Sequence, residues 1–291
     1  MVRLELIRGW YYSDNSADYS NKTTFWIAKG MQNSNEPLVD YWNGAQWGKA
    51  MFVGIRDCNV FIENIDKVPD LSAYDKETWK AEAKVLKAFY HFWMMRMYGP
   101  IPIIKENIPV SAGEDEVRVV RDKIDDIVTY IVSLIDESVE YLPLNIQNEA
   151  AEMGRITRPA AKAIKAKILA FAASPFFNGN LDYANFKNAE GEPFFNQVYD
   201  NEKWTKAADA CLEAIQCAEE AGHGLYEFVN MSSTQLSDET ILSLSNRCKV
   251  TERWNKELVW GCGQSGIRDL QVLCQPWLES NYSSDDRYHN A

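Results

Sequence analysis

Trp79-Lys80-Ala81-Glu82-Ala83-Lys84-Val85-Leu86-Lys87-Ala88-Phe89-Tyr90 runs without a helix breaker into Met97-Tyr98-Gly99-Pro100-Ile101-Pro102, and this stretch decides the fold. Ala81, Val85, Ala88, Phe92 and Met95 step by four, three, four and three, which places them on one helix face. Leu86, Phe89, Trp93 and Met97 form a second apolar stripe. A helix that is apolar nearly all round is a buried one, so this segment is expected at the centre of the molecule. Gly99-Pro100 ends it, because proline cannot continue the backbone ladder and restricts the residue before it.

Gly154-Arg155-Ile156-Thr157-Arg158-Pro159-Ala160-Ala161, running on to Phe171-Ala172-Ala173-Ser174-Pro175-Phe176-Phe177-Asn178-Gly179, gives a second helix. Thr157 is placed to cap its start, and Pro159 is tolerated in the first turn. Alanines at 160, 161, 163, 166, 170, 172 and 173 permit close helix contact.

Working outward, a helix over 48–66 carries the stripe Met51, Ile55, Cys58, Ile62 and Ile65, and Pro69-Asp70 turns it into an antiparallel pair with the first segment. A proline-containing connection over 99–121 holds the acidic patch Glu114-Asp115-Glu116. The spacing of Ile124, Ile127, Ile131, Leu134, Ser138 and Tyr141 predicts a helix over 121–142, with Asp122, Asp125 and Asp126 at its positive N-terminal end. It pairs with 157–173. After a loop over 175–200, a fifth helix spans 202–222 with Ala208, Cys211, Leu212, Ile215 and Ala218 expected to face the core and Gly222 at C′. Glu257-Leu258-Val259-Trp260 reads as a short strand and 261–291 as loop.

The expected fold class is therefore mostly α: tetratricopeptide-like helix hairpins with large irregular insertions and few short strands. Three regions are expected. An irregular aromatic-rich segment covers 1–47, the hairpin scaffold covers 48–222, and a mixed loop and strand segment over 223–291 begins a ligand-facing insertion. Hairpin arrays need capping units over their terminal apolar faces, so an exposed apolar face is expected at the open end.

Bulk numbers exclude several classes. Among 291 residues, 30 Lys and Arg stand against 42 Asp and Glu, a net charge of −12, which phosphate backbones would repel. No run approaches the ~18 apolar residues needed to span a bilayer. Met1-Val2-Arg3-Leu4-Glu5-Leu6-Ile7-Arg8 is not a signal peptide. The six cysteines include no Cys-x-x-Cys, and with three scattered histidines they predict free thiols and no metal site. Gly261-Cys262-Gly263-Gln264-Ser265-Gly266 fits G-x-G-x-x-G, but Pro276 interrupts the helix window and no second strand follows, so no cofactor is expected. Nucleophile, zinc-protease and phosphate-loop motifs are absent. No carboxylate pair stands out for a hydrolase. The basic run Arg155, Arg158, Lys162, Lys165, Lys167 reads as a solvated face beside acidic neighbours.

Aromatics are the positive lead. Sugars present flat C–H faces to indole and phenol rings, while Asn, Asp and Arg bond their hydroxyls. Of the ten tryptophans, Trp79, Trp93 and Trp204 fall on helices and are assigned to the core. Trp10-Tyr11-Tyr12, Tyr41-Trp42-Asn43 and Trp47 fall in polar irregular segments, and Trp254, Trp260, Trp277 and Tyr282 in late loops. The candidate glycan contacts are Tyr41, Trp42, Asn43, Trp47, Trp10, Tyr12, Trp277 and Tyr282.

Four segments carry a family resemblance: Ile55-Arg56-Asp57-Cys58-Asn59-Val60-Phe61-Ile62-Glu63-Asn64-Ile65; Glu82 to Tyr90 with Tyr98-Gly99-Pro100-Ile101-Pro102; Ile131-Val132-Ser133-Leu134-Ile135-Asp136-Glu137-Ser138 with Leu142-Pro143; and 154–179. In order and spacing they resemble the SusD/RagB family of glycan-binding outer-membrane lipoproteins of Bacteroidetes-type bacteria. The resemblance implies non-enzymatic binding of oligosaccharide at the cell surface, for delivery to a TonB-dependent (SusC-like) transporter. It implies a lipid anchor and a longer parent chain, neither seen in this sequence. The alternatives are a helical-repeat scaffold that binds a protein and no sugar, and a glycoside hydrolase.

Overall fold

The computed structural model describes residues 29–33, 35–45, 49–231, 233 and 235–261. Its long helices are α1 (Met51–Asn64), α2 (Ala73–Tyr98), α3 (Ile124–Asp136), α4 (Arg158–Ala173), α5 (Glu202–Glu220) and α6 (Asp238–Thr251), all within one compact unit, Met51–Gly261. Consecutive helices from α1 to α5 pack on one another, and α2 also touches α4. No helix among the described residues is long and apolar enough to cross a membrane.

The face read from Ala81 to Met95 lies in the core: all five residues are buried. Ser72 caps α2, its Oγ accepting from Asp75 N–H at 3.1 Å. Gly99 closes it at φ 69°, donating to Met95 O at 2.9 Å, and a Cβ there would press on the Phe195 ring at 3.3 Å. His91, fully buried on the same helix, accepts at Nε2 from Ile104 N–H (3.2 Å). Its Nδ1 then donates to Lys87 O at 2.8 Å. Burial holds its pKa down to about 4.

Several expectations needed correction. Helix α3 begins at Ile124, not near 121, because the Asp122 carboxylate is taken by Ile103 N–H at 2.7 Å. Tyr141 is exposed rather than on the buried face. Trp93 is core, but Trp79 and Trp204 are 36% and 42% exposed. The strand expected at 257–260 is a set of turns, with Leu258 N–H donating to Asn255 O at 3.0 Å. No second strand is there to pair with it among the described residues, and Asn255 instead ties the turn to Lys249 O and Glu252 O at 2.9 Å each.

Helix α5 is the largest correction. It buries Ala207, Ala210, Ala214 and Cys217, while Leu212 and Ile215 are each 55% exposed and Cys211 also faces out. The partner surface explains the choice. Ala166 of α4 meets Ala210 and Ala214, so the small residues allow the close approach and the larger stripe is left outside. An exposed apolar face therefore does lie at this end of the hairpin series. The end of α5 is as read: Gly222 sits at φ 86° and donates to Glu219 O (2.9 Å), and His223 N–H donates to Ala218 O (2.9 Å), a Schellman closure.

The connection 175–200 has its own interior. Phe177, Phe194 and Phe195 are buried, with Phe177 stacked on Phe195 at 5.8 Å and Tyr183 on Phe195 at 4.9 Å. Asn178 donates to Asp200 O and accepts from Asp200 N–H, both at 2.8 Å, so it clamps the two ends together. The basic run on and before α4 pairs as expected with acids: Arg155 with Glu82 and Glu152, Lys165 with Asp136, Lys162 with Glu213.

Candidate functional site

Three loops meet where α4 begins and α5 ends, around a cavity of about 380 Å³. The first loop supplies Asn145, Glu149 and Gly154, the second His223, and the third Trp254, Lys256 and Trp260. The loops are stitched by backbone groups. Gly224 N–H donates to Lys256 O at 3.1 Å, and His223 Nδ1 shares the same carbonyl at 3.1 Å. The Trp260 indole N–H donates to Gly154 O at 3.0 Å, while its ring stands edge-on to Phe89 at 5.6 Å. Asn145, with its amide nitrogen turned toward Ala221 O (3.0 Å), ties the first loop to the second.

Trp260 is thus a wall, fixed on both edge and face, and Trp254 is a different case. It sits at φ 55°, alone among the described non-glycine residues in having a positive φ. An aromatic residue in that region carries strain of about 1–3 kcal/mol, and such residues concentrate at functional sites. Gly261 leaves room for its ring: a Cβ there would lie 3.4 Å from Trp254 Cζ3 and 3.0 Å from Leu258 Cδ2. Around this ring the Glu149 carboxylate and the Lys256 ammonium make no ion pair with the described residues. Arg155 lines the wall but is held away by Glu82 (2.9 Å) and Glu152 (2.6 Å). Burial raises the Glu82 carboxyl pKa, and the Arg155 charge beside it only partly offsets that. The cavity therefore offers an aromatic ring, an acceptor and a donor to a neutral polar ligand.

Of the sequence candidates, Tyr41, Trp42 and Asn43 share one turn, in the part of the described chain outside Met51–Gly261. Buried Asp40 organises it. Its Oδ1 accepts from Trp42 N–H and Asn43 N–H at 2.9 Å each, and its Oδ2 from Asn43 Nδ2 at 3.1 Å. Burial opposes charge on this carboxyl, yet the donors from Asn43 and Trp42 win and hold its pKa low. Asn43 thus spends its amide nitrogen on Asp40. Trp47, Trp10, Tyr12, Trp277 and Tyr282 lie outside the described residues, as does the glycine-rich run beyond Gly261.

A family described as "Starch-binding associating with outer membrane", of SusD-like type, matches residues 5–169. The chain belongs to the SusD-like family. It is similar to a SusD-like protein of Bacteroides ovatus, 31% identical over 99 residues, which cover 34% of this chain and 16% of that one. The solved structure of BT4246 matches at 28% identity and TM-score 0.68 over 84% of this chain and 44% of its own. A SusD-like protein from Bacteroides fragilis shares the fold at 18% identity and TM-score 0.57, over 90% and 41%. The chain thus spans less than half the length of these relatives. Within this SusD-like chain, sequence reading flagged Trp254 and Trp260 only as late-loop aromatics. It missed Asn145, Glu149, His223 and Lys256, which no spacing rule connects. The usable signals were Gly154 and Gly222, two glycines that mark where helices end and loops can converge.

Proposed function

We propose that this protein binds oligosaccharide without catalysis, in the cavity around Trp254, and presents it at the cell surface to a TonB-dependent outer-membrane transporter. The observation that carries the reading is a strained tryptophan ring beside unpaired polar side chains, in a chain of a starch-binding-type family. A sugar ring would lie on the Trp254 indole, with its hydroxyls bonded by Glu149 and Lys256. Displacing bound water keeps the affinity modest. Tyr41 and Trp42 are proposed as further contacts.

Calorimetry with a panel of oligosaccharides, starting from α-1,4-glucans, tests this. Binding by the protein and a loss of about tenfold or more in Trp254→Ala are expected, since one stacked ring contributes ~1.4 kcal/mol or more. No binding to any oligosaccharide by the full-length parent would overturn it. Trp42→Ala tests the contact on the other turn. The apolar stripe of Trp204, Leu212 and Ile215 on α5 favours a second reading, a protein-docking scaffold. Loss of transporter association with sugar binding intact, in Leu212→Ser/Ile215→Ser, would favour it.

A further inference from the structure

A second hollow, of about 390 Å³, opens between α1 and α2. Phe61, Trp79 and Tyr90 supply its aromatic walls, and Asp57 and Glu82 its charges. Gly54 keeps it in shape: a Cβ there would lie 3.0 Å from the Tyr90 ring. Phe61 and Trp79 stand 39% and 36% exposed at the rim.

The lining is one-sided in charge: its two ionisable acids, Asp57 and Glu82, face no basic residue within the lining itself. Carboxylates accept and cannot donate, and aromatic faces attract positive charge. One end of the hollow already demonstrates the result. Arg155 reaches Glu82 Oε1 with Nε at 3.0 Å and Nη2 at 2.9 Å, and its guanidinium lies 5.7 Å from the Trp79 ring centre. Further along, the exposed Asp57 carboxylate makes no hydrogen bond or ion pair with the described residues. A cationic side chain would gain an ion pair with Asp57 and a cation–π contact with the rings, and a neutral sugar would gain neither. The net charge of −12 also draws basic partners.

We propose that this hollow docks an arginine or lysine side chain of a protein partner, its charge paired with Asp57 and its stem laid on Phe61, Tyr90 and Trp79. The proposal does not depend on the glycan reading. The test is a titration of the full chain with Nα-acetyl-arginine methylamide, following the Trp79 indole N–H by NMR after assignment with Trp79→Phe. A saturating shift in the millimolar range is expected, with none from the neutral isostere Nα-acetyl-citrulline methylamide. Asp57→Asn on the exposed side of α1 should weaken binding about fivefold, while Asp126→Asn on α3 should not. Trp254→Ala should leave the titration unchanged, which separates this site from the sugar cavity. An equal response to citrulline, an unaltered affinity in Asp57→Asn, or a shift produced by maltoheptaose instead would overturn the proposal. The arginine-against-citrulline comparison stands even if Asp57→Asn fails to fold.

Discussion

The α4–α5 interface and the connection that joins its two helices bury the same chain by opposite means. Along the helices, Ala166 meets Ala210 and Ala214, and the interior backbone groups are bonded within their own helices. In the connection no ladder exists. Side-chain amides take its place: Asn178 bonds Asp200, Asn180 Nδ2 donates to Phe176 O at 2.9 Å, and Asn188 Oδ1 accepts from Glu192 N–H at 2.7 Å. Rings then fill the volume that alanine leaves unneeded elsewhere. The lesson is that an irregular segment can be core when its polar backbone is satisfied locally and its apolar mass is large.

Phe177→Ala gives the largest expected effect and could break this comparison. If the connection is core in the same sense as the helices, the loss should be about 3–5 kcal/mol by urea unfolding. A loss below about 1 kcal/mol would show that the rings only decorate the surface.

Acid should separate the helical core from the connection. The folded state holds His91 neutral, with its pKa lowered from 6.5 to about 4. Its contribution is fully present above pH 6.5 and declines as the pH falls toward 4, because the unfolded chain takes up the proton first. The drop amounts to at most about 3 kcal/mol. Hydrogen exchange at pH 5 against pH 7 should show the Ile104 amide losing protection, while Asp200 N–H keeps its own. His91→Gln should flatten the dependence.

Asn178→Ala should cost about 2 kcal/mol, since it removes both 2.8 Å bonds that buried Asn178 makes to Asp200, at about 1 kcal/mol each. Asn178→Asp should restore only the accepting half. Gly222→Ala sharpens the comparison from the helix side. The site has open space but φ 86°, so the expected cost is only about 1 kcal/mol, from backbone strain without any clash.

Much of this was legible in the chain. The step of four and three from Ala81 to Met95 named a face that is wholly buried, and Thr157 caps α4 by accepting from Ala160 N–H at 3.4 Å. Helix α5 was legible as a helix and misread as a surface. Its larger stripe, Leu212 and Ile215, looked like the core because periodicity cannot say which partner face is made of alanine. The connection 175–200, rich in Asn, Asp and Gly, reads in sequence as a plain loop. Composition shows that amides are present, and only the fold shows that they close on their own backbone. The cavity was the least legible part. Its residues come from 145–157, 221–223 and 254–261, and long-range convergence leaves no local period.

The tip of the connection has a practical use. Lys187 and Pro193 bridge below it, Asn188 N–H bonds Glu192 O at 2.9 Å, and a methyl group added to Gly191 at the apex would meet nothing within 4 Å. Below that bridge Phe194 and Phe195 are locked in place. The apex is therefore a natural handle. A dye, an affinity peptide or a surface tether inserted between Glu190 and Gly191 would leave the ring cluster untouched, so a single molecule could be held and watched while candidate ligands are added.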